Sequence, residues 1–279
     1  MITAGIDVGH QSVHVALVQG KCLLGQGSLV IAGAVEAAAG AAFEEILKQY
    51  ALRPEGIDRI FATGVGREKV PLADGQRTEM LCQVVGAHWF FPKARTVIDL
   101  GAEGSRILRC DSEGNLTNFV LNDKCASGAG IFLETVAGML KLSVQDLGPL
   151  SLRSSKKVRL TTTCAVFAES EIVAEIHRGS AREDILAGVH ESLVAKVVSI
   201  IPRVGLEPEV ILTGGVAKNV GIVETLRRQL GIEVRVPEFP EITGALGAAI
   251  LAADALETIK SEALVKELLQ INSLREYDQ

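Results

Sequence analysis

The chain has 279 residues, is 48% hydrophobic but only 4% aromatic, and carries a formal net charge of −6. This length can bury one large core or two modest domains, and the Ala/Val/Gly-rich balance is that of a globular α/β protein rather than a disordered one. The acidic balance, with no long Lys/Arg run, excludes a nucleic-acid partner. No apolar stretch reads as long enough to cross a membrane, and Met1 leads straight into a strand without a basic and apolar leader, so a cytoplasmic location is expected.

In chain order, ITAGIDVG, QSVHVALVQ and CLLGQGSLVI read as three β-runs joined tightly, a meander with a turn at Gly20-Lys21. The apolar run Leu29 to Phe43, interrupted by Glu36, reads as buried helix, and an Ala-rich helix is expected from about Val35 to Leu52. A strand (57–63) and a glycine turn (64–67) follow. The pattern then restarts. RTVIDLGAEGSRILRCDSEGNLTNFVL repeats strand, Asp-x-Gly turn, strand, turn at 112–115 and strand, so that Asp99 matches Asp7 at an offset of 92. A repeat of this size predicts two related α/β domains facing each other. Helices are expected from beyond Cys125 to about Leu140, over 165–178 and over 182–203. A β-like segment is expected at Lys156–Thr163, with one further turn at 143–147. Strand EVILTG (209–214) ends in GGVAKN ahead of a helix, a short strand covers 232–237, and TGALGAAIL opens a last helix with a polar, frayed tail.

Asp7 and Asp99 each end an apolar strand and enter a glycine turn. Glycine lets backbone N–H groups approach a phosphate, and the carboxylate can hold hydrated Mg²⁺ beside it. One such turn alone reads more readily as a simple capped turn, whereas two in equivalent places point to a nucleotide clamped between domains. Gly214 and Gly215, at a strand's C-terminal end, suit a flat ring over bare backbone or a phosphate near a helix start. Gly244 to Gly247 reads as either a ligand site or close helix packing. There is no Walker A sequence and no GxGxxG, so a nucleotide would bind in the clamp and not on a P-loop.

Of the five cysteines, Cys22, Cys82 and Cys110 read as structural. Cys125 (NDKCASGAG) and Cys164 (TTTCAVFAES) each precede a helical run, where N–H groups and the helix dipole stabilise a thiolate. They read either as buried small hydrophobes or as half of a metal site that a two-fold dimer would complete to four thiolates. The five histidines are scattered, and none is paired by sequence with either cysteine.

GIDVG, ATGVGR, TVIDLG, NDKCASGAGIFLE, CAVFAESE, TGGVAKN and TGALGAA together resemble the ATPase family that activates 2-hydroxyacyl-CoA dehydratases and forms the ATP-binding subunits of benzoyl-CoA reductases, over nearly the full length. The resemblance implies the duplicated actin-like fold (acetate kinase, sugar kinase, Hsp70 and actin). One domain would span 1–94, completed by a C-terminal helix from about 245 to 279, and the other 95–244. It implies a homodimer or pseudo-symmetric heterodimer with one [4Fe–4S] cluster on Cys125 and Cys164 of each subunit. ATP or ADP with Mg²⁺ would be bound by Asp7, Gly9, Ser12, Asp99, Gly101, Gly214, Gly215 and Gly244. An electron would pass from a ferredoxin-like donor to a CoA-thioester dehydratase or reductase. Two loops depart from the family pattern. Gly101-Ala102-Glu103-Gly104 stands where Gly-Gly-Gln-Asp is usual, and His14 stands at a usual Lys. Asp99 and Glu103 are the catalytic candidates, Glu103 positioning the attacking water. A cluster-free kinase or ATP sensor and a non-hydrolysing cluster subunit are the alternatives.

Overall fold

Two five-stranded sheets share one strand order. The computed structural model describes residues 1–20, 22–122, 130–156, 158–160 and 165–276. Its strands are β1 (Ile2–Val8), β2 (Ser12–Gln19), β3 (Cys22–Val30), β4 (Arg59–Thr63), β5 (Gly75–Gln76), β6 (Thr96–Leu100), β7 (Ser105–Cys110), β8 (Leu116–Asn122), β9 (Val210–Thr213) and β10 (Val234–Arg235). The helices are α1 (Val35–Gln49), α2 (Glu79–Phe90), α3 (Gly130–Leu140), α4 (Val144–Ser151), α5 (Ala165–His177), α6 (Arg182–Ile200), α7 (Val220–Leu230) and α8 (Thr243–Glu276). The first sheet runs β3-β2-β1-β4-β5, and the second, from the matching edge, β8-β7-β6-β9-β10. In each, an antiparallel meander is extended by parallel strands. Asp7 pairs with His14 and Thr63, and Asp99 pairs with Arg106 and Thr213. The repeat read through a three-stranded meander therefore extends to two further parallel strands in each sheet.

The central strands are apolar on both faces because both faces are covered. Along α1 the buried residues Ala38, Ala39, Ala42, Phe43, Ile46 and Leu47 recur at helical spacing and pack on β1 and β2. On the opposite face α8 lies so close that a Cβ on Gly5 would stand 1.9 Å from the Ala245 carbonyl oxygen. Gly247 meets α2 in the same way, 1.9 Å from the Cys82 carbonyl oxygen, and Gly86 meets the Thr243 carbonyl oxygen at 2.0 Å. This α2–α8 layer separates the sheets, with α2 also packing on Val97, Leu108 and Ile211 of the second sheet. The other face of that sheet is buried by α3, α4, α5, α6 and α7 in the largest core cluster.

Several expectations change. Leu29 and Val30 end β3, and the helix starts at Val35. Described residues between Lys156 and Leu160 form no strand. They run along α6, where the Asp184 carboxylate accepts the N–H groups of Ser155 and Lys156 and the Asp184 carbonyl accepts that of Val158, bonds to a helix start in place of a sheet ladder. The turn at 143–147 is a helix reaching Ser151, and α8 continues through Glu276 into the segment expected to fray. Two helical spans, Arg182–Arg203 and Pro240–Glu262, do have the length and apolar character of membrane spans. They are apolar because they serve as core helices: Ile185, Leu186, Val189 and Leu193 pack under the second sheet, and Ala245, Leu246 and Ala249 pack on the first.

Candidate functional site

The two Asp-x-Gly turns face each other across a cleft of about 450 Å³. Asp7, Gly9 and Ser12 line it from the first sheet, and Asp99, Gly101 and Glu103 line it from the second. Gly214 and Gly215 lie on the side toward α7. Each turn is built with the same parts. Thr63-Gly64 follows β4 as Thr213-Gly214 follows β9, and both glycines have left-handed φ, +87° and +84°. A Cβ on Gly64 would meet the Val8 carbonyl oxygen at 2.3 Å and Asp7 Oδ1 at 2.5 Å. On Gly214 it would meet the Leu100 carbonyl oxygen at 2.3 Å and Asp99 Oδ1 at 2.8 Å. Alanine at either position combines an unfavourable φ with a clash against backbone, so Gly64→Ala and Gly214→Ala should each cost about 1–3 kcal/mol. Thermal unfolding checks this, and unchanged melting curves would contradict the geometry.

Both aspartates are buried. Burial pushes the Asp7 carboxyl up to about 7, the negative charges of Glu79 and Asp99 push the same way, and Arg106 opposes them. Arg106 is the central cation. Its Nη1 donates to Asp99 Oδ2 and its Nη2 to Glu79 Oε2, both at 3.0 Å. The Thr213 hydroxyl donates to Asp99 Oδ1 at 3.2 Å. Glu79 opens α2, where a carboxylate also complements the helix dipole.

The counterpart of Arg106 in the first sheet is His14. Its ring bonds to the Ser12 and Ser28 hydroxyls at 2.9 and 2.7 Å. Burial lowers its pKa to about 4, against the pull of Glu241 and aided by Lys218, so it is neutral at pH 7. Lys218 is ion-paired with Glu241. Of the charged side chains lining the cleft, Asp7, Glu79, Asp99, Glu103, Glu134 and Glu241 stand against Arg106 and Lys218. A polyphosphate entering this acidic cleft requires a divalent cation. Two carboxylates plus phosphate oxygens are the usual protein share of a Mg²⁺ site, so Asp7 and Asp99 fit that ion. Among the described residues no group of three or more metal-ligating side chains occurs.

At the cleft mouth the two turns touch. His10 Nε2 lies 3.1 Å from Glu103 Oε2, and Gln11 Nε2 donates to Glu134 Oε2 on α3 at 2.7 Å. The second turn is also tied to the start of α3, for the Gly130 and Ile131 N–H groups donate to the carbonyls of Gly101 and Ala102 at 2.9 and 3.1 Å. Behind Gly215 a buried polar relay fixes α7. Asn219 Oδ1 accepts the Gly221 and Ile222 N–H groups, so its Nδ2 faces and donates to His190 Nε2 at 3.2 Å. His190 Nδ1–H then donates to Ser151 Oγ, whose hydroxyl donates to the Gly148 carbonyl. This network assigns the tautomer, and burial keeps the ring neutral, its pKa lowered to about 4.

Gly244 lies against Asp7, where a Cβ would stand 2.2 Å from Oδ2, while Gly247 serves packing against α2. Cys125 and Cys164 lie outside the described residues, but α3 begins at Gly130 and α5 at Ala165, shortly after each. In donor chemistry two thiolates per chain, doubled in a dimer, are the set a [4Fe–4S] cluster takes. Cys82 and Cys110 are buried and Cys22 is exposed; burial pushes the Cys82 thiol up to about 12, so it is inert as a thiolate. Arg106, Glu79, Glu134 and Asn219 were not anticipated from sequence.

A family model for the BadF/BadG/BcrA/BcrD ATPase family matches residues 4–252. The (R)-2-hydroxyglutaryl-CoA dehydratase activating ATPase of Acidaminococcus fermentans is 38% identical over 90% of this chain and 96% of its own. The activator of the 2-hydroxyisocaproyl-CoA dehydratase from Clostridium difficile with bound ADPNP superposes with a TM-score of 0.90 at 35% identity, covering 94% of this chain and 98% of that one. A ROK family glucokinase from Streptomyces griseus, at 12% identity and a TM-score of 0.56 over 91% of this chain and 100% of its own, shares the fold alone.

Proposed function

Because the chain belongs to the BadF/BadG/BcrA/BcrD ATPase family, we propose that it is an ATP-dependent electron activator for a 2-hydroxyacyl-CoA dehydratase or a benzoyl-CoA reductase-type partner. One observation carries this reading: the second Asp-x-Gly turn is hydrogen-bonded directly to the first two residues of α3, the helix that follows Cys125. A phosphate bound between the turns would therefore bear on the helix that follows Cys125 in the chain. The moving bodies are residues 1–94, completed by the helix from about 245 to 279, and residues 95–244. Gly9, Ser12, Gly101, Gly214 and Gly215 line the cleft that the nucleotide would enter, and Gly244 would act through the room it leaves for the Asp7 carboxylate. Asp7 and Asp99 would hold Mg²⁺, and Glu103 would orient the attacking water. Cys125 and Cys164 of two subunits, identical or pseudo-symmetric, would hold one [4Fe–4S] cluster. When bound, the cluster supplies one-electron transfer at low potential, from a ferredoxin-like donor to the CoA-ester enzyme, in the cytoplasm.

Anaerobic purification tests the proposal. The expected product is brown, with about four irons per dimer. Cys125→Ser and Cys164→Ser should be colourless yet still bind ADP, because the two Asp-x-Gly turns that line the cleft are left intact. A colourless wild type would favour a cluster-free kinase or sensor. Iron without ATP turnover would favour a non-hydrolysing cluster subunit.

A further inference from the structure

We propose that His10 is a positioning residue for ATP hydrolysis, holding the Glu103 carboxylate in place across the cleft mouth; this rests on the hydrolytic reading above. The two turns are duplicates, and each reaches into the opposite half of the chain. Glu103 meets His10, and Gln11, which sits at the repeat position of Glu103, meets Glu134. His10 Nε2 lies within ion-pair distance of Glu103 Oε2, 3.1 Å, and holds that oxygen toward the first turn. Oε1 then has no protein hydrogen-bond partner among the described residues and can accept from a water.

Glu103 is half exposed and stands on a turn between Ala102 and Gly104, the latter with φ +73°. Among the described residues no other side chain holds the Glu103 carboxylate, so without His10 it would sample several positions. Hydrolysis needs one of them. The water oxygen bonds to the γ-phosphorus as the bond from that phosphorus to the bridging oxygen breaks, and the electron pair leaves on ADP. The water proton passes through Glu103 to the released phosphate or to solvent. Misplacing the orienting group raises this barrier without altering ground-state binding. The Gln11–Glu134 bond remains when His10 is removed, so the mouth keeps one crossing contact.

The test compares steady-state ATP hydrolysis and the affinity for a non-hydrolysable ATP analogue in the wild type, His10→Ala, His10→Gln, Glu103→Gln and the double variant His10→Ala/Glu103→Gln. His10→Ala should lower kcat by about 10- to 100-fold, with KM and analogue affinity nearly unchanged. His10→Gln, which still offers an N–H, should recover most of the rate. The double variant should be no slower than Glu103→Gln, since both act through one carboxylate. An unchanged kcat in His10→Ala, a parallel loss of analogue binding, or additive effects in the double variant would overturn the assignment to His10 alone. A wild type without ATP turnover would overturn the hydrolytic reading and this inference together.

Discussion

Asp7→Asn is expected to fold, to melt higher than the wild type at pH 8, and to lose ATP turnover by at least about 100-fold. The stability half follows from proton linkage. The Asp7 carboxyl sits at about 7 in the fold against an ordinary value of 3.8. Between those values the folded chain holds a proton that the unfolded chain has released, so stability from this group is complete below 3.8 and is lost as the pH rises through 7. The shift sets an upper bound on the order of 4 kcal/mol. Asparagine has no proton to lose. The two melting temperatures should therefore coincide near pH 4 and separate progressively to pH 8. The activity half follows from chemistry: the amide keeps the shape but removes the negative charge that a magnesium–phosphate complex would meet. Pairing calorimetry with turnover separates the two effects, and an Asp7→Asn enzyme with full turnover would remove Asp7 from the site.

Much of this arrangement was legible because the fold is duplicated. Asp7-Val8-Gly9 and Asp99-Leu100-Gly101 declared themselves through apolar strands that end in an acid and a glycine, and Gly214-Gly215 through its place after EVILT. Less legible were the side chains whose partners are distant in sequence. Arg106 reads as a polar interruption of a strand, and only its pairing with Glu79, 27 residues away, and Asp99 makes it the cation of the cleft. The offset of 92 that matches Asp99 with Asp7 also sets Arg106 opposite His14, but an Arg and a His do not look like counterparts. Thr63-Gly64 and Thr213-Gly214 carry a second repeat signal, hidden because a Thr-Gly pair is common. Gly244 and Gly247 look alike in TGALGAA, yet one faces Asp7 and the other faces α2. The helical turn between them decides this, and periodicity alone does not fix its phase. Apolar helices were misjudged for a related reason: α6 is apolar along most of its length because the second sheet, α4 and α7 surround it.

The duplicated turns have diverged in charge, and Arg106→Met should show how far the fold depends on the side that kept its cation. Arg106 is buried and joins Asp99 to Glu79, with Asp7 close enough that its own proton affinity responds to all three. His14, the counterpart across the cleft, is neutral and cannot replace it. Removing one member of a buried ion pair leaves uncompensated charge and costs about 3–5 kcal/mol. Methionine fills the volume, so the loss reports charge rather than a cavity. The penalty should be larger at pH 8, where Asp7 has lost its proton, than at pH 5, where burial keeps that carboxyl protonated and one negative charge fewer faces the gap. Arg106→Lys should recover part of it, because an ammonium supplies the charge but not the fork that reaches two carboxylates at 3.0 Å each. Chemical denaturation at the two pH values measures this. Equal stability of Arg106→Met and wild type at pH 8 would contradict the electrostatic account of the site.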